Sequence, residues 1–198
     1  MPLLQRSKTH AAAGSEATNG RTSLTCHLAK KTAPCPAILA KIQKLTSKPF
    51  GHMELPQVAR YTDSQRYVEH YDGVDPHTPA GKAFVASGGQ RVATVLMYLN
   101  DVAEGGATRF DKMNIDVAPV KGKALLFFPG TKASMPDART LHTATEAVVG
   151  HEKWISQLWV CGFAGKHAPE GKPPGPGDRA ARRAAEKNDR IARPYNFA

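Results

Sequence analysis

Between residues 50 and 163 the chain is a succession of short β-type runs, each closed by Gly, Pro, Asn or Asp, and this punctuation excludes most architectures at once. The strongest runs are Val92–Leu99, Lys123–Phe128 and Trp154–Cys161; weaker ones lie at Leu55–Tyr61, Tyr67–Asp72, Ile115–Ala118 and Arg139–His142. Branched and aromatic residues at period two suit a pleated, half-buried surface. About seven or eight such strands with no helical periods between them predict an antiparallel sandwich or barrel, not a parallel sheet.

Two segments stand apart from this pattern. From Pro36 to Leu45 the apolar residues Ile38, Leu39, Ile42 and Leu45 recur at helical spacing around Lys41, Gln43 and Lys44, which predicts one amphipathic helix closed before Pro49. Asp75 to Gly89, with Pro76, Pro79, Gly81, Gly88 and Gly89, is longer than a hairpin needs and reads as a polar loop, either a lid or a passive surface segment. At 198 residues the chain has room for one domain with a substantial core. We place it at 21–165, after a small, polar segment (1–20) expected to be disordered because it lacks the apolar residues to offset its ordering entropy, and before a basic Pro/Gly/Arg-rich tail (166–198).

The formal charge of +10 invites a nucleic-acid reading until it is divided along the chain. Residues 1–48 carry +7 and residues 166–198 carry +4, which leaves 49–165 near neutrality at −1. A specific nucleic-acid reader would carry its basic stripe on the folded element that docks, so specific nucleic-acid binding is not expected. No apolar run is long enough to span a membrane, and the first residues lack the apolar stretch of a secretory signal. Cys26, Cys35 and Cys161 form no C-x-x-C pair, leaving a Cys26–Cys35 bridge or three free thiols as the alternatives.

Chemistry enters at His70-Tyr71-Asp72, where an imidazole and a carboxylate stand two residues apart near a strand's end and so share a face. Alone, H-x-D is a weak signal. His142, ending a strand far downstream, can be folded back against it. Two imidazoles and one carboxylate leave three adjacent metal positions open, which is the donor set of non-haem Fe(II) that activates oxygen. A structural zinc site would need a fourth protein ligand, and none is evident at a matching spacing. Lys153 would be a costly charge inside a barrel unless partnered; a dicarboxylate cosubstrate would be such a partner, and a solvent-facing ammonium is the simpler alternative.

The run Gly88-Gly89-Gln90-Arg91-Val92-Ala93-Thr94-Val95-Leu96-Met97-Tyr98-Leu99-Asn100-Asp101-Val102, followed by Glu104-Gly105-Gly106-Ala107-Thr108-Arg109-Phe110, resembles the catalytic domain of prolyl 4-hydroxylases. The resemblance runs from about Arg21 to Gly162. It implies a mainly β fold, a double-stranded β-helix (jelly-roll) barrel with a supporting N-terminal helix. It places the iron ligands on His70, Asp72 and His142, and the 2-oxoglutarate-binding lysine on Lys153. Tyr61 and Thr108 then line the cosubstrate pocket, Trp159 stands beside it, and Tyr67 and Arg91 lie near the peptide substrate.

The implied activity is Fe(II)- and 2-oxoglutarate-dependent hydroxylation of peptidyl proline to 4-hydroxyproline. Dioxygen is the second cosubstrate, succinate and carbon dioxide are released, and L-ascorbate restores the iron. The same chemistry on another protein side chain or a small molecule is the nearest alternative, and a metal-binding barrel without catalysis the next. The resemblance also implies the endoplasmic reticulum if the chain's N-terminus is incomplete, and it leaves the oligomeric state open.

Overall fold

The computed structural model describes residues 3–11, 14–16, 19–131, 133–147 and 150–164; the tail expected at 166–198 lies outside the described residues. The strands are β1 (Gln5–Arg6), β2 (Thr9–Ala11), β3 (Gly14–Glu16), β4 (Leu24–His27), β5 (Gln57–Thr62), β6 (Tyr67–His70), β7 (Arg91–Tyr98), β8 (Thr108–Phe110), β9 (Ile115–Val117), β10 (Ala124–Phe127), β11 (His142–Ala144) and β12 (Glu152–Cys161). Two helices, α1 (Cys35–Thr46) and α2 (Pro79–Gly88), interrupt them. One sheet of six strands has the order β1-β4-β5-β12-β7-β10, a second of four has β6-β11-β8-β9, and β2 and β3 form a hairpin; every pairing is antiparallel.

Period-two alternation in the six-stranded sheet divides its side chains between two layers. Ala93 and Val95 of β7 and Leu158 and Val160 of β12 meet Cys35, Leu39 and Ile42 of α1. The intervening residues Leu96, Tyr98 and Ile155 join Ala59, Tyr61 and Ala144 in a second cluster between the sheets. Both faces of the large sheet are therefore covered, which is why β7 and β12 read as nearly continuous apolar runs. Helix α1 forms as its spacing predicts: Pro36 sits in the first turn, where its missing N–H costs nothing, and the helix ends at Ser47 in the left-handed region (φ 53°) just before Pro49.

Four expectations need correction. Asp75–Gly89 is not irregular throughout, since α2 fills most of it. The Thr78 hydroxyl accepts from the Gly81 N–H at 3.0 Å as an N-cap and Pro79 opens the first turn. Gly81 is obligatory there, because a Cβ would lie 1.8 Å from the Asp75 carbonyl oxygen. Arg139–His142 is not one strand: Ala138–Thr140 is a 3-10 turn capped by Asp137, and the strand begins at His142. Strands β4 and β8 were not foreseen. Finally, the segment 1–20 is not wholly without order, because β1 pairs with β4, and buried Ser7 hydrogen-bonds Ser23 through both backbone and hydroxyl. A sheet edge supplies backbone partners, so ordering here does not need the apolar burial that the sequence lacks. All three cysteines are free. No described helix is long and apolar enough to cross a membrane.

Candidate active site

Strands β6 and β11 run side by side in the smaller sheet with His70 directly opposite His142. Their rings lie 4.2 Å apart at 52°. Asp72 sits in the bend two residues beyond β6, so its approach comes from the turn and not from strand alternation. One of its oxygens, Oδ1, reaches 3.8 Å from His70 Nε2, and one ligand atom from each of the three residues lies within 4.8 Å of the others. A register shift between β6 and β11 puts two residues of β6, Val68 and Glu69, against one of β11, Thr143. That bulge brings Tyr67 and His70 to one face, where the rings stack at 3.5 Å and 15°.

Each imidazole is oriented by its far nitrogen. His70 Nδ1 lies 2.8 Å from the Val68 carbonyl oxygen and His142 Nδ1 lies 2.8 Å from that of Thr140. A carbonyl can only accept, so both Nδ1 atoms carry the proton and both Nε2 lone pairs are left for a metal. Burial, with the neighbouring His142 acting in the same direction, pushes the His70 pKa down to about 3, which keeps that lone pair available. For Asp72, burial alone would raise the pKa. His142, His70, Arg91 and the Thr94 hydrogen bond outweigh it and hold the group below the ordinary value, as a carboxylate. Thr94 Oγ1 donates to Asp72 Oδ2 at 2.7 Å, leaving Oδ1 turned toward the histidines. Phe110 and Phe127 pack around the His142 ring at 5.4 and 5.0 Å.

Lys153 points into the gap between the sheets from β12, paired across the ladder with Tyr61. It is wholly buried, and its Nζ has no hydrogen-bond partner. Around the ammonium stand the rings of Tyr61 at 5.3 Å and Tyr98 at 5.9 Å, and the Tyr98 hydroxyl donates to Thr108 Oγ1 at 2.8 Å. Burial pulls the Lys153 pKa down to about 7. Gly106 (φ 68°) passes so close to the lysine stem that a Cβ would lie 3.3 Å from its Cδ. A wholly buried cation with no counter-ion costs folding free energy unless a ligand supplies the missing charge. Both features fit the groups expected from the sequence: the donor set suits a divalent iron, and the orphaned ammonium suits one end of a dicarboxylate.

Beyond the triad opens a cavity of about 1150 Å³, walled on this side by Tyr67, His70, Asp72, Arg91 and Trp159. Arg91 owes its place to a bulge at the end of β7, where Cys161 pairs with Arg91 and Val160 with Ala93, so that Val92 is skipped and Arg91 changes face. Its guanidinium is bound to Glu54 through two contacts of 2.7 and 3.0 Å, donates to the Asp72 carbonyl oxygen at 3.3 Å, and lies 4.0 Å from the Trp159 ring. The Trp159 indole N–H is buried without a partner.

All the residues singled out from the sequence are thus gathered on the facing sides of the two sheets or at the cavity they border. Those not foreseen are Glu54, Thr94 and Tyr98. For Thr94 and Tyr98 a signal existed, since they share the inward parity of β7 with Leu96 and are polar within an apolar strand.

A family model described as 2OG-Fe(II) oxygenase superfamily matches residues 56–161, which include every one of these site residues except Glu54. Prolyl 4-hydroxylase 2 of Arabidopsis thaliana is 33% identical over 168 residues, covering 74% of this chain and 54% of that protein. Prolyl 4-hydroxylase subunit alpha-1 of Homo sapiens is 36% identical over 121 residues, covering 61% of this chain and 22% of that subunit. The chain therefore spans about half the length, or less, of these curated relatives. Among solved structures, the viral collagen prolyl hydroxylase of Paramecium Bursaria Chlorella virus-1, in its 2OG complex, superposes with a TM-score of 0.59 at 27% identity, covering 71% of this chain and 78% of that one. This likeness extends the two-sheet arrangement to the jelly-roll class expected from the sequence.

Proposed function

The chain belongs to the 2OG-Fe(II) oxygenase superfamily, and we propose that it hydroxylates proline in a peptide or protein, using Fe(II), 2-oxoglutarate and dioxygen. The observation that carries this reading is the buried, unpartnered Lys153 ammonium in the same inter-sheet space as the His70, Asp72 and His142 donors. The prolyl 4-hydroxylase relatives support proline as the target.

With iron and 2-oxoglutarate held at these positions, dioxygen would be the oxidant, one of its oxygen atoms ending in succinate as carbon dioxide is lost and the other in the substrate, where C–H becomes C–OH. This chain's own residues have other tasks. His70 and His142 present Nε2 because backbone carbonyls hold Nδ1–H, and Asp72 presents Oδ1 because Thr94 holds Oδ2. Lys153 would pair with the far carboxylate of 2-oxoglutarate, with Tyr61 and the Tyr98–Thr108 pair enclosing it. Phe110 and Phe127 exclude water from the His142 side, and Tyr67 and Trp159 offer aromatic surface to a substrate entering from the cavity. Ascorbate is the external reductant we expect.

The test is a proline-peptide array incubated with Fe(II), 2-oxoglutarate, ascorbate and air and read by mass spectrometry. A mass increase of one oxygen on proline, stoichiometric with succinate, is the expected result. Succinate formed at a rate indifferent to every peptide would overturn the assignment of substrate. No succinate at all would overturn the enzymatic reading.

A further inference from the structure

Lys153 is not the only buried cation that lacks a carboxylate. Arg21, just ahead of β4, is 3% exposed and lines the same cavity, bridged to Tyr67. Its guanidinium donates to the Gln57 side-chain oxygen at 2.6 Å and lies 4.9 Å from the Tyr67 ring, but its Nε has no partner and no described carboxylate pairs with it. Arg91, which lines the cavity as well, differs in this respect, because Glu54 binds it through two contacts. A buried guanidinium bonded only to a neutral amide keeps most of its desolvation cost.

The surroundings hold Arg21 in place without satisfying its charge. Gln57 Oε1 accepts from both Arg21 and Gln157, at 2.6 Å each, and Gln57 Nε2 lies 3.0 Å from His27 Nε2. Every member of this row is neutral except Arg21. Of the two carboxylates that line the cavity among the described residues, Glu54 is bound to Arg91 and Asp72 belongs to the candidate metal donors. Toward the outer cavity Lys8, beside β1, is a further cation among the described lining residues. Among those residues Arg21 is therefore a buried, fixed charge that no carboxylate neutralises.

We propose that the substrate is an acidic peptide, with an Asp or Glu side chain close to the target proline that pairs with Arg21. This rests on the peptide-hydroxylation reading and sharpens it to a substrate class. Arg21 supplies a charge-assisted hydrogen bond from its guanidinium, Tyr67 braces that group from one side, and Lys8 adds positive charge at the cavity mouth.

The experiment is a double comparison on the full chain loaded with Fe(II) and 2-oxoglutarate. Pairs of proline peptides differing only by Asp against Asn, or Glu against Gln, at positions one to three residues from the proline are assayed with the unaltered protein and with Arg21→Gln and Arg21→Lys. Direct binding is measured in parallel by fluorescence anisotropy under nitrogen. The expected result is that at one position the acidic peptide binds at least about tenfold more tightly than its amide twin. Arg21→Gln should abolish that ratio, Arg21→Lys should keep part of it, and 2-oxoglutarate affinity should stay unchanged in both variants. Hydroxylation that ignores the substitution at every position would overturn this inference and leave the proline reading standing. An equal loss for acidic and amide peptides in Arg21→Gln would overturn it too, by showing that the arginine serves the framework. Failure to bind or hydroxylate any peptide would overturn both.

Discussion

Only one of the two Asp72 oxygens is left for a metal, because Thr94 occupies the other, and this makes Thr94 a positioning residue for the one anionic ligand. Groups that orient ligands in this way typically contribute about 10- to 100-fold to metal affinity. Thr94→Val keeps the shape and removes the donor, so divalent metal binding should weaken by about that factor. Thr94→Ser should retain it, and Asp72→Ala should lose binding altogether. Titration with Co(II), followed by its visible absorption, reads this directly; a Thr94→Val titration indistinguishable from that of the unaltered protein would show that the hydroxyl is incidental. Lys153 gives a second test at this scale. With its pKa pulled down to about 7 by burial, it meets an anionic ligand mainly as an ammonium only below that value. A bound carboxylate raises the pKa, so 2-oxoglutarate affinity should be level at acid pH and fall above pH 7, by up to about tenfold per unit. Lys153→Arg, always charged, should lose that slope whatever its absolute affinity. Calorimetry in buffers of different ionisation enthalpy detects the coupled proton uptake, and a flat profile for the unaltered protein would refute the coupling.

Elements show where the sequence spoke clearly and where it did not. Strands β7 and β12 were legible because each carries several branched or aromatic residues and is largely buried, and β5 and β10 because apolar residues recur within them. Strands β4 and β8 were not, since Leu24–His27 and Thr108–Phe110 are short and owe their conformation to neighbours already in the sheet. Helix α2 was hidden by its own glycines. Gly81 and Gly88 lower helix propensity, and only the close approach to Asp75 at Gly81 explains the first of them. Of the site, the clustering of His70, Asp72 and His142 was readable from an i, i+2 pair and one remote histidine. The two bulges that bring Tyr67 beside His70 and turn Arg91 inward were not, because a bulge is decided by pairing partners and leaves no local pattern. Helix α2 offers its own prediction. Removing the cap with Thr78→Ala should cost about 1 kcal/mol of local helix stability. Amide exchange across 79–88 should then accelerate several-fold. If 75–89 closes over a bound substrate, a hydroxylatable proline peptide should slow both exchange and proteolysis there in the unaltered protein; equal rates with and without peptide would mark α2 as a passive surface helix.

The molecule as a whole holds two sheets together across a gap that contains unsatisfied groups, and this couples its stability to what it binds. Thr94 on the large sheet bonds Asp72 at the end of the small one, Tyr98 bonds Thr108, and Phe110 packs on Phe127 edge to face at 5.2 Å. A metal at the triad would add a further link between the loop after β6 and β11, and an anion at Lys153 would neutralise a charge buried between the sheets. Ligands that bind only the folded state stabilise it by about 2.7 kcal/mol at a hundredfold excess over Kd. Melting temperature should therefore rise stepwise, first with Mn(II) as a non-reacting substitute for iron and again with 2-oxoglutarate. For the protein without ligands the sign at Lys153 is the reverse. Its folded-state pKa lies below the ordinary value of 10.5, so burying the charge costs stability fully below about pH 7, and the cost fades as pH rises toward 10.5. Lys153→Met keeps much of the apolar stem and removes the charge. That variant should melt higher than the unaltered protein at pH 7 without ligands, on the order of a few °C. It should keep the Mn(II) increment, because the triad is intact, and lose the 2-oxoglutarate increment. A thermal-shift matrix of both proteins against Mn(II) and 2-oxoglutarate at two pH values checks all of this together. A Lys153→Met protein that melts lower than its parent in the absence of ligands would mean that the lysine is satisfied in the folded state, and that the buried ammonium is not a place kept for a cosubstrate.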